Sequence, residues 1–277
     1  MACNQSGDAR LAGFECFPHT EGAYEHDVYV TGKPADRPLL VIHELPGFTV
    51  ETLNFARRLA ARGFRVYLPH LFGGFLENDT LGNEKRLCVS AEFANLAAGV
   101  SAPVTTWLRS LARRISALHG DGKVGALGMC LTGGFAIPLV LERPVVAPVC
   151  AQPAVPFSKR FVALGFGKGP WAPALNVSDD DVRGAKARMD RDDLKLLAFR
   201  FDSDRICVAE KMGRLKAEFG NRVEVHQLKT PWMSRFRLPT PPHAVFTYEY
   251  EKAKDAGPEH PTRRAFETLV SFFQRQL

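Results

Sequence analysis

Cys130 is the residue from which chemistry can first be read. It stands in Lys123-Val-Gly-Ala-Leu-Gly-Met-Cys-Leu-Thr-Gly-Gly134, an apolar run that breaks into small residues, and Phe135–Glu142 continues it with helical character. A strand, a sharp turn and a helix with a nucleophile at the turn would present that side chain at the top of a sheet. Gly128 lets such a turn tighten without a Cβ clash, and Gly133 and Gly134 let helix and strand approach. Thr132 stands where the usual pattern has its second glycine, with the glycines one position later. A phosphate loop would need Lys and Ser/Thr after Gly133, and the chain has Gly134-Phe135. Gly165-Phe-Gly-Lys-Gly169 imitates a dinucleotide loop only loosely, because Pro170 follows and no strand precedes. The plain alternative for Cys130 is a buried, inert thiol.

A nucleophilic thiol has chemical requirements that name the other candidates. At its free pKa it is only slightly ionised near neutrality, so a histidine must take its proton. That histidine needs a carboxylate on its second nitrogen to fix its tautomer and orientation. A tetrahedral oxyanion needs two backbone N–H donors. His243 is the candidate base, with His43 and His70 as rivals that precede the nucleophile. Asp202 and Asp204 are both candidate acids, and Glu44 is a further carboxylate near a strand end. The N–H groups of Leu131, just after Cys130, and of Leu45 suit the oxyanion role.

The elements that must position these residues follow from periodicity. Tyr24–Thr31 alternates as a half-buried strand does, and Leu39–Ile42 is a continuous β-rich run, as in a strand buried on both faces. The pattern then predicts a helix over about Val50–Arg62 closed by Gly63, and strands at Phe64–Leu68, Lys123–Met129, Val145–Cys150, Leu194–Phe201 and Arg222–Leu228. Helices are expected at Val104–His119, Phe135–Glu142, Ser178–Arg191 with Ser178 as N-cap, Val208–Phe219 and Thr262–Leu277. Residues 1–20 read as a loose lead-in, with a short strand allowed around Phe14–Phe17. Residues 72–83 and 229–242 read as loops. Strands alternating with helices mean βαβ units, a mainly parallel sheet and one doubly wound α/β domain. Function in such sheets sits at the carboxyl ends of the strands, which selects Glu44, Cys130, the Asp202/Asp204 pair and His243.

These motifs together resemble the dienelactone hydrolase family of the α/β-hydrolases. The resemblance rests on Val41-Ile-His-Glu-Leu-Pro-Gly47, Val66-Tyr-Leu-Pro69, Gly128-Met-Cys-Leu-Thr-Gly-Gly134, Phe201-Asp-Ser-Asp204, Phe219-Gly220 and Pro242-His243. It implies a single α/β-hydrolase domain over residues 21–277, a mainly parallel central sheet with helices on both faces. It also implies Cys130 as nucleophile, Asp204 as the orienting acid, His243 as base, and Glu44 as a carboxylate that contacts the resting thiol and moves when substrate binds. The implied activity is the opening of a lactone or small carboxylic ester through a thioester, without metal or organic cofactor. One departure concerns substrate: the stretch Ala244-Val-Phe-Thr-Tyr-Glu-Tyr250 lacks the cation expected past the histidine. Lys159, Arg160, Arg235 and Arg237 could replace it or be solvated charges. Trp232, Phe236 and Phe246 could line a substrate pocket or belong to the core. The alternative function is a catalytically weak hydrolase-fold protein that binds a ligand or a partner.

Composition narrows the remaining classes. A net charge of +6 spread over helical patterns, without a nucleic-acid motif, fits solvated helix faces rather than a polyanion-binding surface. Cysteines 3, 16, 88, 130, 150 and 207 are scattered without CxxC or ligand-spaced histidines, so reduced thiols in a cytoplasmic protein are expected, with no zinc site. No apolar signal region or membrane-length run is present. The expected partner is a small ester or lactone, for a monomer or weak homodimer.

Overall fold

The structure is a computed structural model that describes residues 3, 8–77, 102–154, 172–236 and 241–277. Its strands are β1 (Glu15–Glu21), β2 (Tyr24–Thr31), β3 (Arg37–Ile42), β4 (Phe64–Pro69), β5 (Val124–Met129), β6 (Val145–Ala151), β7 (Leu196–Phe201) and β8 (Val223–Leu228). Helices are α1 (Val50–Ala60), α2 (Pro103–Leu118), α3 (Ala136–Leu139), α4 (Asp179–Arg191), α5 (Ala209–Phe219), α6 (Tyr248–Lys252) and α7 (Pro261–Gln276). The eight strands form one sheet in the order β1-β2-β4-β3-β5-β6-β7-β8. Pairings β1/β2 and β2/β4 are antiparallel, and every pairing from β4 through β3 to β8 is parallel.

The inner strands are apolar throughout because both of their faces are covered, as a parallel sheet demands. One apolar layer packs Trp107, Leu108 and Leu111 of α2, Val182 and Met189 of α4, and Met212 and Leu215 of α5 on the sheet. The other packs Leu53, Phe55 and Leu59 of α1 and Phe266, Leu269 and Phe273 of α7 on the opposite face. This is the α/β-hydrolase architecture expected from the alternation of strands and helices.

Three details differ from the expectation. The lead-in contributes a full strand, β1, which runs to Glu21 and pairs with β2 along its whole length. The helix expected over Phe135–Glu142 starts as a 3-10 turn, Cys130–Phe135, and keeps α geometry only over Ala136–Leu139. Gly133 and Gly134 favour helix poorly, and the chain must turn back quickly to reach β6 at Val145. The thiols are not all reduced: Cys3 and Cys16 form a disulfide with Cα atoms 6.0 Å apart, while Cys130, Cys150 and Cys207 are free. The Cys3–Cys16 separation of 13 residues follows no metal or redox motif, so only the return of the N-terminal segment to β1 brings them together. Among the described residues no helix is long and apolar enough to cross a membrane.

Candidate active site

Two neighbouring strand ends create the site. β3 and β5 are parallel partners whose last paired residues are Ile42 and Gly128. Two residues further along each strand stand Glu44 and Cys130, so sheet register alone sets the carboxylate beside the thiol. Cys130 has φ +51°, a left-handed conformation that costs a non-glycine residue about 1 kcal/mol or more. The turn that imposes it needs Gly128: a Cβ there would lie 2.0 Å from the carbonyl oxygen of Thr132. Gly134 is needed for a different reason, since its Cβ would lie 1.8 Å from the Leu175 oxygen. Ala154 donates its N–H to Cys130 O at 2.8 Å, and Asn176 Nδ2 donates to Ala154 O at 2.5 Å and to Leu131 O at 3.4 Å. Leu131 lies in the first turn after Cys130, where N–H groups lack an intrahelical acceptor, and Leu45 lies in the loop after β3.

Asp204 follows β7, and its carboxylate is nearly inaccessible. Oδ1 accepts the Ile206 N–H at 2.8 Å and the Cys207 N–H at 2.9 Å, while Oδ2 faces His243 Nδ1 at 2.7 Å. Buried Arg200 shapes this turn by donating to Cys207 O at 2.9 Å and Asp204 O at 3.1 Å. Burial alone would push His243 down, yet the Asp204 charge beside it, followed by Cys130, holds it well above the ordinary histidine value. A ring nitrogen of His243, Cys130 Sγ and a Glu44 oxygen lie within 4.8 Å of one another. His243 Nε2 is buried and makes no formed hydrogen bond, so the approach to sulfur is close but not yet aligned. Catalytic contacts often have this looseness without substrate.

Glu44 is buried and anchored at both oxygens. Gln152 Nε2 donates to Oε2 at 3.1 Å, and the Thr247 hydroxyl donates to Oε1. Burial pushes its carboxyl up, against the opposing influence of His243, Thr247 and Gln152. His43, the sequence rival of His243, serves the backbone instead. Its Nε2 accepts the Leu71 N–H at 3.1 Å, which leaves Nδ1 to donate to Glu44 O at 3.2 Å. Burial, with His70 nearby, lowers it to about 3, so it is neutral. His70 is engaged through Nε2 with Gly73 O at 3.1 Å. Asp202 accepts the Thr230 N–H at 3.0 Å, whereas the carboxylate against His243 is that of Asp204.

Several residues that bear on the site gave no signal in the sequence. Gln152, with φ +35° and fully buried, and Thr247 carry no local mark in the sequence, since nothing nearby identifies a residue as the partner of a distant carboxylate. Lys211 looks like any helix-surface lysine, yet it is 1% exposed and its ammonium donates to Ala174 O. Burial lowers it to about 8, with Cys207 and Cys130 acting in the opposite direction. Phe246 belongs to the core, stacked on Phe55 at 5.5 Å, while Trp232 and Phe236 are exposed. Lys159, Arg160 and Arg237, and the side chain of Arg235, lie outside the described residues.

Glu44, Cys130 and His243 are of the donor types a soft divalent cation takes. Both Glu44 oxygens accept hydrogen bonds, from Gln152 and Thr247. Cys3, Cys16 and Asp27 also lie together, but the disulfide removes the two thiolates.

Residues 27–159 match the dienelactone hydrolase family model. No curated protein matches the chain in sequence. Among solved structures, a dienelactone hydrolase-like promiscuous phosphotriesterase from metagenomic libraries is 15% identical, covers 95% of this chain and 98% of its own, and has a TM-score of 0.58. An esterase of Pyrococcus furiosus is 10% identical over 96% of this chain and 92% of its own, with a TM-score of 0.57. A monoacylglycerol lipase of Paleococcus ferrophilus is 16% identical over 90% of this chain and 100% of its own, with a TM-score of 0.55. At these identities the likeness is one of fold, and it agrees with the sheet order and the elbow described above. Over residues 27–159, carried on an α/β-hydrolase fold, the chain is similar to the dienelactone hydrolase family.

Proposed function

We propose that the protein is a thiol hydrolase that opens a lactone or small carboxylic ester through a thioester acyl-enzyme. The observation that carries this reading is the convergence of Cys130, His243 and Glu44 within 4.8 Å, with Asp204 on the far nitrogen of the histidine. Cys130 Sγ attacks the carbonyl carbon as His243 takes the thiol proton, and Asp204 stabilises the imidazolium. The N–H groups of Leu45 and Leu131 receive the oxyanion. Collapse expels the alkoxide, protonated by His243, and leaves the thioester. Water, activated by His243, then attacks the thioester and releases the acid and the thiol. In the resting site Glu44 is the carboxylate beside the thiol and can accept its S–H hydrogen bond.

The test is a panel of p-nitrophenyl esters and lactones assayed on wild type and Cys130→Ala side by side. Removal of an essential nucleophile should lower kcat by roughly 10³-fold or more. Wild-type turnover in Cys130→Ala would end this assignment.

A further inference from the structure

Thr132 departs from the usual elbow pattern, and its surroundings explain the departure. The residue is wholly buried. Its Oγ1 accepts the Met129 N–H at 3.1 Å and lies 2.9 Å from Met129 O, 3.1 Å from Ile42 O and 3.1 Å from His43 O. A hydroxyl has one proton to donate, so those three carbonyls share it in turn. Ile42 O ends β3, His43 O follows it, and Met129 O ends β5. The last regular partners of the two strands are Ile42 and Gly128, so the hydroxyl sits just past the end of the ladder. There it supplies the rung that the diverging backbones cannot make for themselves. A glycine at this position would leave those groups without that partner.

We propose that Thr132 is a positioning residue that sets the separation of Cys130 from Glu44 by tying the end of β5 to the end of β3. The proposal deepens the thiol-hydrolase reading and rests on it. The residues tied are the ones immediately before the two reacting groups: Met129 precedes Cys130, and His43 precedes Glu44. His43 is itself fixed by the Leu71 N–H, so the tie runs from the nucleophile's turn to a rigid backbone. The β-branch of threonine limits its rotamers and holds the hydroxyl where it is needed.

The experiment compares Thr132→Val, which keeps the shape and deletes the hydroxyl, with Thr132→Ser, which keeps the hydroxyl. Thr132→Gly, which restores the usual pattern, serves if the valine variant fails to fold. Each is assayed for kcat and KM with the best ester of the panel, and for iodoacetamide alkylation of resting Cys130. Misplacement of a reacting group by about 1 Å can cost ~10²-fold. Thr132→Val and Thr132→Gly should therefore lose about ten- to a hundredfold in kcat with KM little changed, and Thr132→Ser should stay near wild type. Resting alkylation should meanwhile become faster in the variants without the hydroxyl, because Glu44 is no longer held over the thiol. A purely structural role would move melting temperature and leave kcat and alkylation unchanged. Unchanged values in folded variants, or a parallel fall of both, would overturn the proposal. Failure of the underlying reading shows separately, as turnover that survives Cys130→Ala.

Discussion

At the scale of single residues, the site is a set of groups whose preferences are opposed by their surroundings. Glu44 is pushed toward its neutral form by burial, yet Thr247 and Gln152 donate to its oxygens and favour the charged form. Burial alone would push His243 down, yet the Asp204 charge beside it holds it above the ordinary histidine value. Glu44→Gln keeps the shape and removes charge and basicity. It should lower kcat by about 10²–10⁴-fold, the range of one general-base contribution, with an unchanged circular dichroism spectrum. A normal spectrum with full kcat would reduce Glu44 to a structural residue.

At the scale of elements, the turn between β5 and the following 3-10 segment is the costly piece of the fold. It holds Cys130 in a left-handed conformation and leaves no space for a side chain at residue 128. Gly128→Ala should force the Thr132 carbonyl away, remove most ester turnover and lower stability by a few kcal/mol, as strained and overpacked sites do. Gly213, inside α5, has open space around it and no strained φ. Gly213→Ala should instead add about 0.5–1 kcal/mol from helix propensity and leave turnover as it was. Urea unfolding of the two variants beside wild type checks both statements. Equal effects of the two substitutions would mean that the turn is not under the constraint described.

At the scale of the whole molecule, two apolar layers clamp the sheet, and a buried lysine, Lys211, lies in one of them. Lys211 of α5 reaches Ala174 O, in the same loop as Asn176, which donates to the backbone of the elbow. Its folded value of about 8 lies below the 10.5 of an unburied lysine, which stands for the unfolded chain. Below pH 8 both states carry the proton, and the fold bears the cost of a buried charge. Between about pH 8 and 10.5 the unfolded chain binds more protons than the folded one, so stability rises with pH in that window. Relative to Lys211→Met, wild type should gain on the order of 3 kcal/mol across it. Taking the difference cancels the opposite trends of Cys150, pushed up to about 12, and Tyr29, also raised to about 12. Parallel stability curves from pH 7 to 10.5 would refute the assignment.

The sequence by itself determined the fold class, most strand positions, the Ser178 cap and the order in which Cys130, Asp204 and His243 occur. Those features are written in near neighbours: apolar runs of strand length, helical stripes, and turn residues at fixed offsets. It also placed Glu44, because the end of a strand is a local property. Tertiary structure decided the partnerships. Asp204 rather than Asp202 meets His243 because the turn after β7 points only one of two nearby carboxylates at the histidine. Thr247 and Gln152 hold Glu44 across 203 and 108 residues of chain, and Cys3 finds Cys16 through the pairing of the first strands. Lys211 and Thr132 look like a surface charge and a defect in a motif until the sheet register and α5 bury them. A one-dimensional pattern fixes which face a residue presents, but which distant group lies opposite that face depends on how the strand ends abut.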